Sequence, residues 1–96
     1  MSEFALHLRI EGHVQGVCYR AWAVEQAGNR ALRGWVRNRR DGSVEAVVVG
    51  PEKAVRSMVA ACHEGPPAAR VADIIERPAD FGDVPIENIF EKRATA

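Results

Sequence analysis

The residues that could do chemistry lie in two short stretches. The first is Gly12-His13-Val14-Gln15-Gly16-Val17-Cys18-Tyr19-Arg20. Glycines at i and i+4 permit a tight loop, and the loop ends in an arginine. A guanidinium is a rigid, permanently charged fork that fits a phosphate or carboxylate through two hydrogen bonds. The second stretch is Arg33-Gly34-Trp35-Val36-Arg37-Asn38, just ahead of Asp41-Gly42. An amide at Asn38 can hold a water through its carbonyl oxygen and steady it through its NH2. Each feature has a plainer reading. The glycines serve a turn, Arg20 is a solvated helix residue, and Asn38 ends a strand beside a turn. Together they read as an anion site with a place for a water.

Other reactive side chains are weaker candidates. His13 falls in an exposed loop with no carboxylate placed to orient it. Cys18 has no identifiable base to activate it. Cys62 and His63 are neighbours on a helix, so they point apart and make a poor metal pair. Cys18 and Cys62 lack CxxC spacing and read as reduced thiols.

The elements that must position these residues follow from periodicity. Phe4, Leu6, Leu8 and Ile10 alternate with polar or small residues, which predicts a strand over about Glu3 to Glu11. A helix is predicted from Tyr19 or Arg20 to about Asn29, with Tyr19, Ala23 and Ala27 on one face and Gly28-Asn29 as a weak end. The glycine loop therefore joins a strand to a helix N-terminus, where free N–H groups and the helix dipole favour an anion. Asp41-Gly42 between two β-prone runs predicts a hairpin. The run Val44 to Val49 is almost wholly apolar and suits a central strand covered on both faces, and Trp35 and Val36 read as core. Pro51-Glu52 opens a second helix in which Val55, Met58, Val59 and Cys62 share a face, and Gly65-Pro66-Pro67 stops it. A fourth strand is expected over about Arg70 to Glu76, a loop over Pro78 to Pro85, and a last strand over about Ile86 to Arg93. This order predicts an α+β fold: a ferredoxin-like βαββαβ sandwich, with two helices on one face of a mainly antiparallel sheet, plus a short C-terminal strand. Periodicity leaves the strand order open.

Ninety-six residues, 47% of them apolar, suit one domain over 1–96 with its own core. Thirteen basic and thirteen acidic residues give a formal charge of zero. Nothing in that balance points to a polybasic surface for nucleic acid or membrane. There is no long apolar run and no signal pattern, so a cytoplasmic protein is expected.

The two stretches also resemble a known family. Gly12 to Arg20 is similar to the first acylphosphatase signature, G-x-V-Q-G-V-x-[FY]-R. Gly34-Trp-Val-Arg-Asn38 followed by Asp41-Gly42-Ser43-Val44-Glu45 is similar to the second, GWVRN…DGxVE. Glu64-Gly65-Pro66-Pro67-Ala68-Ala69-Arg70-Val71 resembles the segment before the family's fourth strand. The resemblance implies hydrolysis of acyl phosphates to a carboxylate and inorganic phosphate, with no metal and no cofactor. It implies that Arg20 binds phosphate and Asn38 positions the attacking water. It implies that the N–H groups of Gln15, Gly16, Val17, Cys18 and Tyr19 cradle the phosphoryl group. The substrate would be a small molecule and the default assembly a monomer.

Two positions depart from the family pattern. Ala31-Leu32 stands where a Gly-Leu pair is common, so the first helix is expected to be shorter or differently capped. Phe90 is followed by Glu91 and Lys92, where an apolar residue is usual two after the phenylalanine. Lysine there suits a frayed, shifted or edge strand. Three other classes compete with this reading. A non-catalytic phosphate- or carboxylate-binding domain would not need Asn38. An RNA-binding ferredoxin-like domain would want an aromatic strand motif and a basic face. The acylphosphatase-like domain of a carbamoyl-transfer maturation protein would be followed by a zinc-finger segment, and none occurs before Ala96.

Overall fold

The computed structural model describes residues 3–79, 82, 84 and 88–96. Its elements run β1 (Phe4–His13), α1 (Tyr19–Asn29), β2 (Arg33–Asn38), β3 (Val44–Gly50), α2 (Glu52–Glu64), β4 (Arg70–Pro78) and β5 (Phe90–Lys92). The sheet order is β4-β1-β3-β2-β5. Neighbours pair antiparallel except β2 and β5, which run parallel. This is the expected ferredoxin-like α+β sandwich, and it supplies the strand order that periodicity left open.

The alternation of β1 sends Leu6, Leu8 and Ile10 into the core beneath the helices. Tyr19, Ala23 and Ala27 of α1 and Val55, Met58, Val59 and Cys62 of α2 close over them. Alanines on the buried face let α1 sit close to the sheet, and Tyr19 spans to α2 by donating its hydroxyl to the Cys62 carbonyl at 2.6 Å. Burial, with the neighbouring Cys62 a smaller cause, pushes the Tyr19 phenol far above its ordinary range, so it stays protonated and remains a donor.

β3 is apolar apart from Glu45, because both its faces are largely covered. Val44, Ala46 and Val48 join the helix-side core, whereas Val47 and Val49 pack with Trp35 on the other side. The adjacent residues Trp35 and Val36 are thus both buried, on opposite faces of β2. Among the described residues no helix covers Trp35. Instead, the guanidinium groups of Arg37 and Arg93 lie 4.8 Å from the centre of its rings.

The structure corrects three expected boundaries. β1 continues to His13, so Gly12 and His13 belong to a strand and not to the loop. It continues because β4 pairs with it as far as His13, across an irregularity between Glu11 and Gly12. Gly12 has φ 128°, and a Cβ there would lie 2.2 Å from the Arg70 carbonyl oxygen, so only glycine fits this approach. β4 likewise runs on to Pro78, an edge position where a missing N–H costs no ladder bond. The C-terminal strand is shorter than expected. Pairing with β2 spans only Phe90, Glu91 and Lys92, and residues 88 and 89 precede it as irregular chain. Half of the expected 78–85 loop (positions 80, 81, 83 and 85), and residues 86 and 87, lie outside the described residues.

α1 reaches Asn29 with Gly28 inside it. The N–H of Leu32 bonds to the Ala27 carbonyl and that of Ala31 to the Gly28 carbonyl. That is a Schellman ending, and it places Ala31 at φ 54°, where glycine is usual. The helix is capped as a glycine-ended helix would be, at the cost of a left-handed alanine.

Candidate active site

β1 hands the chain to α1 through residues 14–18. Val14 and Val17 are buried and pin this loop to the core. Between and after them, Gly16 has φ 73° and Cys18 has φ 64°. Left-handed residues one apart turn successive N–H groups to one side, which makes an anion-binding concavity. For Cys18 the conformation is strained, a cost of about 1–2 kcal/mol that the surrounding structure must offset. Cys18 is also the N-cap of α1, yet its side chain makes no capping bond. Its carbonyl accepts from the Trp22 N–H at 3.0 Å. Among the described residues no protein group accepts from the N–H groups of Gly16, Val17, Cys18, Tyr19 or Arg20. A helix start left open in this way is suited to an anion.

Arg20 is half-buried, and its Nη1 donates to the Arg93 carbonyl at 3.3 Å. No carboxylate pairs with it among the described residues. Its guanidinium is therefore steadied from one side while its charge stays unanswered. Asn38 ends β2 opposite Val44, and its carbonyl accepts from the Ala96 N–H at 3.0 Å. The hairpin beyond it is tightly made. Asp41 Oδ1 accepts from the Ser43 N–H at 2.9 Å and the Ser43 hydroxyl at 2.7 Å. The Ser43 hydroxyl, the Ser43 N–H and then Arg9 hold the Asp41 carboxyl well below the usual carboxylate range.

These parts meet in an open cleft of about 360 Å³. Gly16, Cys18, Tyr19 and Arg20 line it from the loop and helix, and Asn38 and Lys92 line it from the sheet. The structure thus brings Arg20, Asn38 and much of the glycine loop together. Gln15 and Val17 do not line the cleft. The Val17 side chain is buried, and the Gln15 side chain reaches the hairpin. Gln15 Nε2 donates to the Arg39 carbonyl at 2.7 Å and to the Ser43 carbonyl at 2.8 Å. It therefore ties the glycine loop to the turn that follows Asn38, a role no spacing in the sequence announces. Lys92 is the other residue that sequence reasoning missed as part of the site. Its signal was present, since it breaks the apolar alternation after Phe90.

His13 is exposed and takes no part in the cleft. Cys62 is buried while His63 is exposed, so they do point apart. Burial pushes the Cys62 thiol up to about 11, which keeps it protonated. Among the described residues no group of three or more His, Cys, Asp or Glu is placed to hold a metal ion. No helix among them is long and apolar enough to cross a membrane.

Comparison with known proteins gives the family and the fold. The sequence model of the acylphosphatase family matches residues 6–84. An acylphosphatase of Acidiphilium cryptum is 50% identical over 91 residues, covering 95% of this chain and 97% of the relative. The structure of an acylphosphatase from Coxiella burnetii superposes with a TM-score of 0.86 at 31% identity, covering 95% of this chain and 93% of that one. That of Bacillus subtilis acylphosphatase gives 0.81 at 36% identity, covering 94% and 98%.

Proposed function

The chain belongs to the acylphosphatase family, and from that premise we propose how it cleaves acyl phosphates to a carboxylate and inorganic phosphate. Arg20 and the N–H groups of Gln15, Gly16, Val17, Cys18 and Tyr19 hold the phosphoryl oxygens. The Asn38 amide holds a water in line with the bond to the acyl oxygen. The water oxygen attacks phosphorus, and the bond from phosphorus to the acyl oxygen breaks. The departing carboxylate is a weak base, so no acid is needed to protonate it. The proton of the water passes to a phosphoryl oxygen of the substrate, which needs no protein base. What the protein supplies is position and charge stabilisation on the phosphoryl oxygens, the main requirements of phosphoryl transfer. The observation that carries this reading is that Arg20, the open helix start and Asn38 share one cleft.

The same reading takes residues 1–96 as one domain and the protein as a cytoplasmic monomer. It acts on a small molecule, without cofactor and without a nucleic-acid or membrane partner. The balance of thirteen basic and thirteen acidic residues supports it, and light scattering at assay concentration checks the monomer.

The test is phosphate release from benzoyl phosphate. Wild type is expected to turn over equally with and without EDTA. Arg20→Ala should lose about three orders of magnitude in kcat/KM, and Asn38→Ala about two in kcat, with inorganic phosphate still inhibiting Asn38→Ala. Undiminished turnover in Asn38→Ala removes its assigned role. Phosphate binding without turnover in wild type returns the chain to the binding-module reading.

A further inference from the structure

We propose that Lys92 is a second cation of this substrate site and selects acyl phosphates whose acyl group carries its own negative charge. The proposal rests on the site assignment above. β5 lies parallel to β2, with Val36 opposite Lys92 and Gly34 opposite Phe90. Residues paired across a sheet share a face. Val36 faces the helix-side core, and Phe90 packs against that core from β5. Arg93, next along the chain, points to the opposite face and lies over Trp35. The pleat therefore directs Lys92 to the helix side, beyond the apolar layer, and there it lines the cleft with Arg20 and Asn38.

Its charge is unanswered. Lys92 makes no hydrogen bond or ion pair among the described residues, and no Asp or Glu among them lines the cleft. Two cations facing one cleft repel each other, and a bound anion relieves that repulsion. A phosphoryl group brings up to about two negative charges at neutral pH. Arg20 and the positive end of α1, equivalent to about half a charge, sit at the glycine loop to meet it. With Lys92 the cleft holds more positive charge than the phosphoryl group alone neutralises. Lys92 also enters the cleft from a different element than the loop. In the order β1-β3-β2-β5 the loop leaves β1, Asn38 ends β2, and Lys92 lies on the strand beyond it. A carboxylate on the acyl group is the anion that would answer it.

The test compares benzoyl phosphate with 3- and 4-carboxybenzoyl phosphate, in wild type, Lys92→Met and Lys92→Arg. Methionine keeps most of the stem and removes the charge. Wild type should favour the better carboxylated substrate. Lys92→Met should lower kcat/KM about tenfold on that substrate, mainly through KM, and about twofold on benzoyl phosphate through lost long-range attraction. Lys92→Arg should restore most of the difference. The difference should vanish in about 1 M salt, where screening acts within about 3 Å. An equal fall on both substrates, or no fall on either, overturns the proposal. Arg20→Ala in the same assay separates the two readings. If it abolishes turnover of every substrate while Lys92→Met changes nothing, the site stands and the role of Lys92 fails. If Arg20→Ala also changes nothing, both fail.

Discussion

Two clefts, one on each side of the sheet, are rich in cations. The back cleft, of about 250 Å³ on the face without helices, is lined by His7, Arg9, Arg39, Glu45, Ile75 and Arg77. Here the charges are matched. Arg9 pairs with Glu11 at 2.9 Å and Asp41 at 2.6 Å. Glu45 receives His7 at 2.6 Å, Arg37 at 2.6 Å and Arg39 at 3.4 Å. Burial alone would raise the Glu45 carboxyl, but hydrogen bonds from His7 and Arg37 outweigh it and hold the group below the ordinary value. Only Arg77 lacks a carboxylate among the described residues. In the cleft of Arg20 and Lys92 neither cation has one. Paired charges at the back hold β1, β2 and β3 in register, whereas those at the front have no carboxylate partner among the described residues. The number of arginines does not find the site. The number left unanswered, beside an open helix start, does.

The sharpest way to break this comparison is to exchange the outcomes. Arg20→Ala should cost about a thousandfold in kcat/KM, whereas Arg77→Ala should change it less than about twofold. Comparable losses would mean that pairing says nothing about function. Next, Glu45→Gln should leave kcat close to wild type and destabilise the fold by about 1–3 kcal/mol, read by denaturant unfolding. The sign with pH is fixed. The folded carboxyl lies below its ordinary value of 4.5, so its contribution is complete above that value. It is lost as pH falls through the folded value. The gap between wild type and Glu45→Gln should therefore narrow on acidification below about pH 4.5, and a gap that widened would reverse the account of Glu45. A smaller effect is expected of Gln15→Ala, which cuts the tie between the loop and the hairpin. It should lower kcat about tenfold, because misplacing the water relative to the phosphoryl group is costly. Unchanged kcat would make the tie purely structural. The smallest effect belongs to Ala31→Gly. Relief of a left-handed alanine should add about 0.5–1 kcal/mol, a few degrees in Tm, with kcat unaffected.

Much of this was legible in the chain. Leu6, Leu8 and Ile10 announce β1 by alternation, and Asp41-Gly42 announces the hairpin. Arg20 and Asn38 stand out because their motifs are local. What stayed hidden depends on distance along the chain. Gln15 reaches acceptors 24 and 28 residues away, which no periodicity encodes. Gly12 read as a loop residue because its close approach to Arg70 exists only once β4 has paired. Lys92 was noticed as a break in pattern and explained by edge protection. Only the strand order shows that this edge borders the cleft.

The contact between Arg20 and Arg93 has a consequence in time. These residues are 73 positions apart. At typical synthesis rates of about 5–20 residues per second, roughly 4 to 15 s separate their incorporation. The glycine loop and its arginine are made early, and the segment that steadies them comes late, along with the Ala96 N–H that holds the carbonyl of Asn38. The motifs of the cleft are made first, and the contacts that brace Arg20 and Asn38 wait for residues 93 and 96. The order of synthesis thus runs from the lining of the cleft to its bracing.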